Sequence, residues 1–174
     1  MNVHVCSLAR IADTVSATGA QHLVTLINAG TAVTRPHLIQ PENHLFLGMN
    51  DIVAPMDGYV EPGERHVLSL LDFVQRWWGE AGPAHPIVIH CWAGISRSTA
   101  AAFITSCALN PRRDEAAIAS ELRARSPSAT PNARLVAIAD GLLGRNGRMT
   151  EAIARIGRGR DAFEGEPFFL PLGA

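Results

Sequence analysis

The sequence predicts a three-layer α/β/α domain around a central, mainly parallel sheet of four to five strands. Short β-branched apolar runs alternate with stretches of helical period in the first half of the chain, and the second half is helical. One of the runs, Pro86 to Ile89, is uniformly apolar, the pattern of a strand covered on both faces. A length of 174 residues, 47% of them hydrophobic and 18% charged, suits one domain with a sizeable core. The whole chain, 1–174, is therefore expected to be a single unit.

The elements follow in order. Val3 to Leu8 and Leu23 to Ile27 read as strands around a helix over Arg10 to Ala20, with Gly19 near its end. His44 to Gly48 reads as a third strand, followed by a loop from Asn50 to Gly58. Pro62 is placed as the first residue of an amphipathic helix with apolar positions Val67, Leu68, Leu70, Leu71, Val74, Trp77 and Trp78, closed by Gly79. The two tryptophans are expected in the core. After the strand ending at Ile89 come His90 to Arg97 and an Ala-rich helix over Ser98 to Leu109, stopped by Asn110-Pro111. Helices are expected over Asp114 to Arg125, Asn132 to Leu143 and Met149 to Ile156. Residues 163–174, with Phe168 and Phe169 between two prolines, read as an apolar tail packed on the body.

All 15 basic residues are Arg; there is no Lys. This excludes a Walker loop, a protein kinase and Schiff-base chemistry, each of which requires a Lys. A net charge of -1 argues against a general nucleic-acid or anionic-membrane surface. There is no apolar run long enough to span a bilayer, and residues 1–20 lack a basic patch followed by an apolar core, so a cytoplasmic location is expected. The lysine-free, Ala-rich composition is associated with GC-rich, bacterial genomes. Cys6, Cys91 and Cys107 are odd in number and lack C-x-x-C spacing, which argues against a disulfide framework or a thiolate zinc site. The seven histidines show no H-E-x-x-H or H-x-H spacing, so no metal and no cofactor are expected.

The chemistry concentrates where a buried strand meets a helix. Between Cys91 and Arg97 lie Trp92, Ala93, Gly94, Ile95 and Ser96. A short loop there turns its backbone N–H groups inward at the positive end of a helix, a site for a phosphate dianion. Arg97 supplies a planar guanidinium able to bind two phosphate oxygens. The same field stabilises a thiolate at Cys91 and makes it the expected nucleophile. His90 is placed to orient the Cys through backbone hydrogen bonds, and the Ser98 hydroxyl to donate to the sulfur.

His90-Cys-Trp-Ala-Gly-Ile-Ser-Arg-Ser98 resembles the H-C-x5-R-S/T signature of the cysteine-dependent protein tyrosine phosphatases, especially their compact dual-specificity-like branch. The resemblance extends to the strand-helix-strand opening, His44 to Ile52, the helix before the signature, and Pro131-Asn132. It implies a protein tyrosine phosphatase-like fold and hydrolysis of phosphate monoesters through a phosphocysteine on Cys91. It also implies an Asp that protonates the leaving group and then activates water. Asp51, directly after the third strand, is preferred; Asp57, in Pro55-Met-Asp-Gly58, is the alternative. The resemblance places Asn132 behind the phosphate loop, although it also reads as a helix N-cap.

The variable loop positions Trp92, Ala93, Ile95 and Ser96 are uncharged, unlike the basic loops with which inositol-lipid phosphatases meet additional phosphates. Phosphotyrosine, with or without phosphoserine and phosphothreonine, on a phosphoprotein or phosphopeptide is the substrate implied, with Trp92 as an apolar wall. Tyr59 lacks the Lys-Asn-Arg-Tyr context of phosphotyrosine-selective pockets. The competing readings are a phosphoprotein-binding scaffold with negligible turnover and a rhodanese-type sulfurtransferase, whose loop is typically shorter. Cys6 and Cys107 read as inert buried thiols unless geometry pairs one with Cys91. Arg112, Arg113, Arg145, Arg148, Arg155, Arg158 and Arg160 read as solvated helix faces, and the histidines other than His90 as strand-end or surface groups.

Overall fold

The computed structural model describes residues 2–80 and 84–172. The strands are β1 (Asn2–Ser7), β2 (His22–Ile27), β3 (His44–Gly48), β4 (Ile87–Cys91) and β5 (Phe168–Pro171), arranged β3-β2-β4-β1-β5. The first four run parallel, and β5 is antiparallel to β1. The helices are α1 (Ile11–Thr18), α2 (Glu64–Glu80), α3 (Arg97–Leu109), α4 (Glu115–Arg125), α5 (Ala133–Leu142) and α6 (Arg148–Ile156).

Period-two alternation assigns the faces of the sheet. Cys6, Leu23 and Val88 point toward Ile11 and Val15 of α1. Val3, Val5, Val24, Leu26, Ile87 and Ile89 point the other way, toward the remaining helices. The three expected layers are thus present but unequal: among the described residues, one two-turn α-helix covers one face and five α-helices crowd the other. At their centre lies α3, buried on every side from Arg97 to Cys107. Its small residues, Ala100, Ala101 and Ala102, let neighbouring helices approach closely.

Strand β4 lies between β1 and β2, so the chain reverses its direction of winding there. In an open α/β sheet such a point leaves a crevice at the carboxyl ends of the strands. Ser7, Asn28, Met49 and Cys91 all emerge at that edge.

The boundaries differ from expectation in places with a local cause. Helix α2 begins at Glu64, not at Pro62: the carbonyl of the preceding Gly63 accepts from His66 N, while its N–H donates to His66 Nδ1 at 3.0 Å. Gly79 does not end α2, which continues to Glu80. Trp77 is buried and donates to the His85 carbonyl; Trp78 is partly buried against the core. Asp114 and Asn132 are N-caps, accepting from Ala117 N at 2.9 Å and Leu135 N at 3.1 Å. The segment from Phe163 supplies β5, where Leu170 is fully buried; Gly173 and Ala174 lie outside the described residues.

One surface reading is overturned. Arg145 is buried, not solvated: Nη1 donates to Glu115 Oε1 at 2.7 Å and Nη2 to the Cys107 carbonyl. A tight turn through Gly144 and Asn146, both at positive φ, places the guanidinium beneath the end of α3. Burial alone would raise the Glu115 carboxyl, but hydrogen bonds from Arg148 and Arg145 outweigh it and hold the group below the usual range. Arg113 is also drawn in, pairing with Glu121 and donating to the Pro171 carbonyl.

Candidate active site

Strand β4 delivers Cys91 to the crevice, and residues 92–96 loop over it into α3. The carbonyls of that loop are anchored outward. Cys91 O faces His90 Nδ1 at 3.3 Å, and Trp92 O accepts from Leu8 N at 3.1 Å. Ala93 O accepts from Gly165 N at 2.8 Å, Ile95 O from Thr130 N at 2.9 Å, and Ser96 O from Ala100 N at 2.9 Å. In a trans peptide the following N–H points opposite to the carbonyl, so anchoring these oxygens turns the amides inward. Among the described residues, no acceptor is bound by the N–H groups of Trp92 to Ser96. Gly94 makes the turn possible, at φ +73°; a Cβ there would lie 2.9 Å from the Cys6 and Ser7 backbone.

Arg97, in the first turn of α3, is only 4% exposed. Its Nη1 donates to Asn28 Oδ1 at 2.9 Å and to the Met49 carbonyl at 2.6 Å. Both acceptors are neutral. Its buried Nε has no partner, and among the described residues no carboxylate forms an ion pair with it. A buried cation without a counter-charge is costly unless a ligand supplies one.

Ser98 Oγ lies 3.1 Å from Cys91 Sγ, at the buried start of α3. Behind the cysteine, His90 Nε2 is 2.7 Å from Thr25 Oγ1, which is 2.8 Å from His44 Nε2. Burial pushes the His90 imidazole down to about 4, so the ring is neutral near pH 7. With Nδ1 facing a carbonyl, that nitrogen must carry the proton and Nε2 must accept. The orientation follows: His44 Nε2–H donates to Thr25, Thr25 O–H to His90, and His90 Nδ1–H to the Cys91 carbonyl. The chain fixes the imidazole beside the loop.

The loop after β3 brings in Asp51, whose Oδ1 accepts from Ser96 Oγ at 2.7 Å and from Asn132 Nδ2 at 2.8 Å. Asn132 caps α5 with Oδ1, as expected, but its Nδ2 holds Asp51 and Ile52 of the loop after β3; it meets the 92–96 loop through its backbone N–H, 3.4 Å from the Ser96 carbonyl. Asp51 lines a cavity of about 480 Å3 together with Cys91, Trp92, Ala93, Ile95, Ser96 and Arg97. Asp57 is exposed on the same loop but does not line this cavity. Trp92 and Tyr59 stand at its mouth, both more than half exposed.

The other cysteines are differently placed. Cys6 is in register with His90 and lies on the α1 face, opposite to Cys91. Cys107 lies at the far end of α3. Burial pushes both thiols up to about 12. Among the described residues no group of three His, Cys, Asp or Glu is arranged to hold a metal, and no helix is long and apolar enough to cross a membrane.

Sequence reading missed four contributors. Asn28 and the Met49 carbonyl hold Arg97, Thr25 links the two histidines, and residues 162–165 run along the outside of the loop. In that last segment Gly165 donates to Ala93, Ser7 pairs with Glu164, and Phe163 stands at the cavity. A lone phenylalanine set among Asp161, Glu164 and Glu166 was the one signal available in the sequence for the last of these.

Solved structures share this fold. Over 83% of this chain and 92% of that one, human tyrosine phosphatase-like serine/threonine/tyrosine-interacting protein superposes with a TM-score of 0.63 at 19% identity. The chain has the dual-specificity phosphatase fold. The PTP-2 phosphatase of Cydia pomonella matches at TM-score 0.61 and 18% identity, over 80% of this chain and 84% of that one. DUSP15 gives 0.60 at 15% identity, covering 88% and 90%. No protein-family model matches the chain, and no curated protein matches it by sequence. Within this phosphatase fold, the crevice at β4 is occupied by the signature loop.

Proposed function

We propose that the chain hydrolyses phosphate monoesters of phosphotyrosine, with or without phosphoserine and phosphothreonine, in phosphoproteins or phosphopeptides. The observation that carries this reading is the buried, carboxylate-free Arg97 facing inward-turned amides across one cavity. Together they offer positive charge and several N–H donors to a single anion.

Cys91 Sγ attacks phosphorus while the bond to the ester oxygen breaks. The loop amides and Arg97 hold the non-bridging oxygens as charge spreads onto them. Asp51 gives its proton to the departing oxygen and then takes one from water. That water attacks the phosphocysteine, the P–S bond breaks, and Ser98 donates to the returning thiolate. Asp51 is preferred to Asp57 because it lines the cavity beside the loop and is held there by Ser96 and Asn132.

The neutral side chains of the loop favour a singly phosphorylated residue over a polyphosphorylated headgroup. Turnover of para-nitrophenyl phosphate, with Cys91→Ser as control, tests the proposal. Activity in the wild type alone is expected. Wild-type turnover equal to the control refutes it and favours a phosphoprotein-binding scaffold.

A further inference from the structure

We propose that the segment from Ala162 to Gly165 is a specificity element, whose Phe163 ring grips the aryl group of the substrate against Trp92 and Tyr59. The inference rests on the phosphomonoesterase reading and deepens it. Ala162 and Phe163 line the cavity that holds Cys91 and Arg97. The segment is fixed to the loop it borders. Gly165 N donates to the Ala93 carbonyl, and a Cβ on Gly165 would lie 3.0 Å from the Gly94 carbonyl. The Ser7 hydroxyl donates to the Glu164 carboxylate. The next residues enter β5, and before the segment Arg160 N donates to the Pro127 carbonyl at 2.8 Å, so the backbone is tied to the body on both sides.

Within this anchored frame the Phe163 side chain is 97% exposed, Trp92 57% and Tyr59 53%. Exposed apolar groups that gather in one place, beside a polar site, mark a contact surface. Three separate segments contribute here: the loop after β3, the signature loop and the segment before β5. An aromatic ring carried on a phosphate seated in the cradle would lie between them, and offset or edge contacts between rings favour it over an alkyl chain. The rings stand at the mouth, whereas the amides and Arg97 lie deeper, so affinity for the phosphate and preference for its substituent are separable.

The test uses the Cys91→Ser protein, which binds without turnover, and calorimetric titration with inorganic phosphate, methyl phosphate and phenyl phosphate. Phe163→Ala, added to Cys91→Ser, is expected to lower the preference for phenyl over methyl phosphate by about three- to ten-fold. Phosphate affinity should stay unchanged, and Phe163→Tyr should restore the preference. If phosphate binds but Phe163→Ala leaves the phenyl-to-methyl ratio unaltered, the specificity role is refuted and the phosphatase reading stands. Equal loss for all three ligands also refutes it, since the segment would then only support the loop. If phosphate fails to bind to Cys91→Ser, both readings fall.

Discussion

Arg97 and Arg145 are both buried, at 4% and 6% exposure, in opposite circumstances. Arg145 meets the Glu115 carboxylate and two backbone carbonyls at the back of the helical layer. Arg97 meets only an amide oxygen and a carbonyl, and its Nε is left over. A paired buried arginine ties elements together; an unpaired one beside inward amides is a charge held ready for a ligand. The difference separates a structural ion pair from the proposed binding site although the residue type is the same.

The largest effect should come from the sulfur that shares the cavity with the unpaired arginine: Cys91→Ser is expected to reduce aryl phosphate turnover to background, measured by release of para-nitrophenol. Next, Arg97→Ala should lower kcat/KM by about 10²–10³-fold or more, since loss of one anion-stabilising donor already costs that much. Arg97→Lys should rescue little, because a point charge lacks the planar fork. Asp51→Asn should lower kcat by about 10²-fold or more, while Asp57→Asn behaves as wild type. An inverted result would reassign the acid.

At the paired site the readout changes. Arg145→Ala should destabilise the fold by about 3–5 kcal/mol in denaturant unfolding, with kcat per folded molecule unchanged. Glu115 also makes a pH signature there. Its folded pKa is lowered, so its contribution is present above the ordinary Glu range and is lost as pH falls through the folded value; Glu115→Gln should flatten that acid limb. The smallest effect concerns His90. Between the ordinary 6.5 and its folded value of about 4, the unfolded chain binds a proton that the folded chain refuses, so stability falls with falling pH across that window. His90→Asn should remove this component of the slope.

The strand, loop and helix around Cys91 were legible because their residues are contiguous and their periods differ sharply. The places of Asp51, directly after a strand, and of Asn132, at a helix N-cap, were legible from local position; the roles expected of them came from the family resemblance. Arg145 was not: in an Arg-rich helical segment it resembles its solvated neighbours, and its carboxylate partner lies 30 residues earlier. The support of Arg97 by Asn28, 69 residues away, and the pairing of Ser7 with Glu164, 157 away, depend on strand order, which local patterns do not encode. The end of the chain read only as apolar. Its strand β5 satisfies the edge of β1 and carries the preceding residues back across the loop of residues 92–96.

The most direct measurement of the central claim is calorimetric titration of inorganic phosphate into Cys91→Ser, compared with Cys91→Ser/Arg97→Ala and Cys91→Ser/Arg145→Ala. Binding at one site per chain is expected in the first and third proteins and loss of that binding in the second. No phosphate binding to Cys91→Ser, or equal binding after loss of Arg97, would contradict the account.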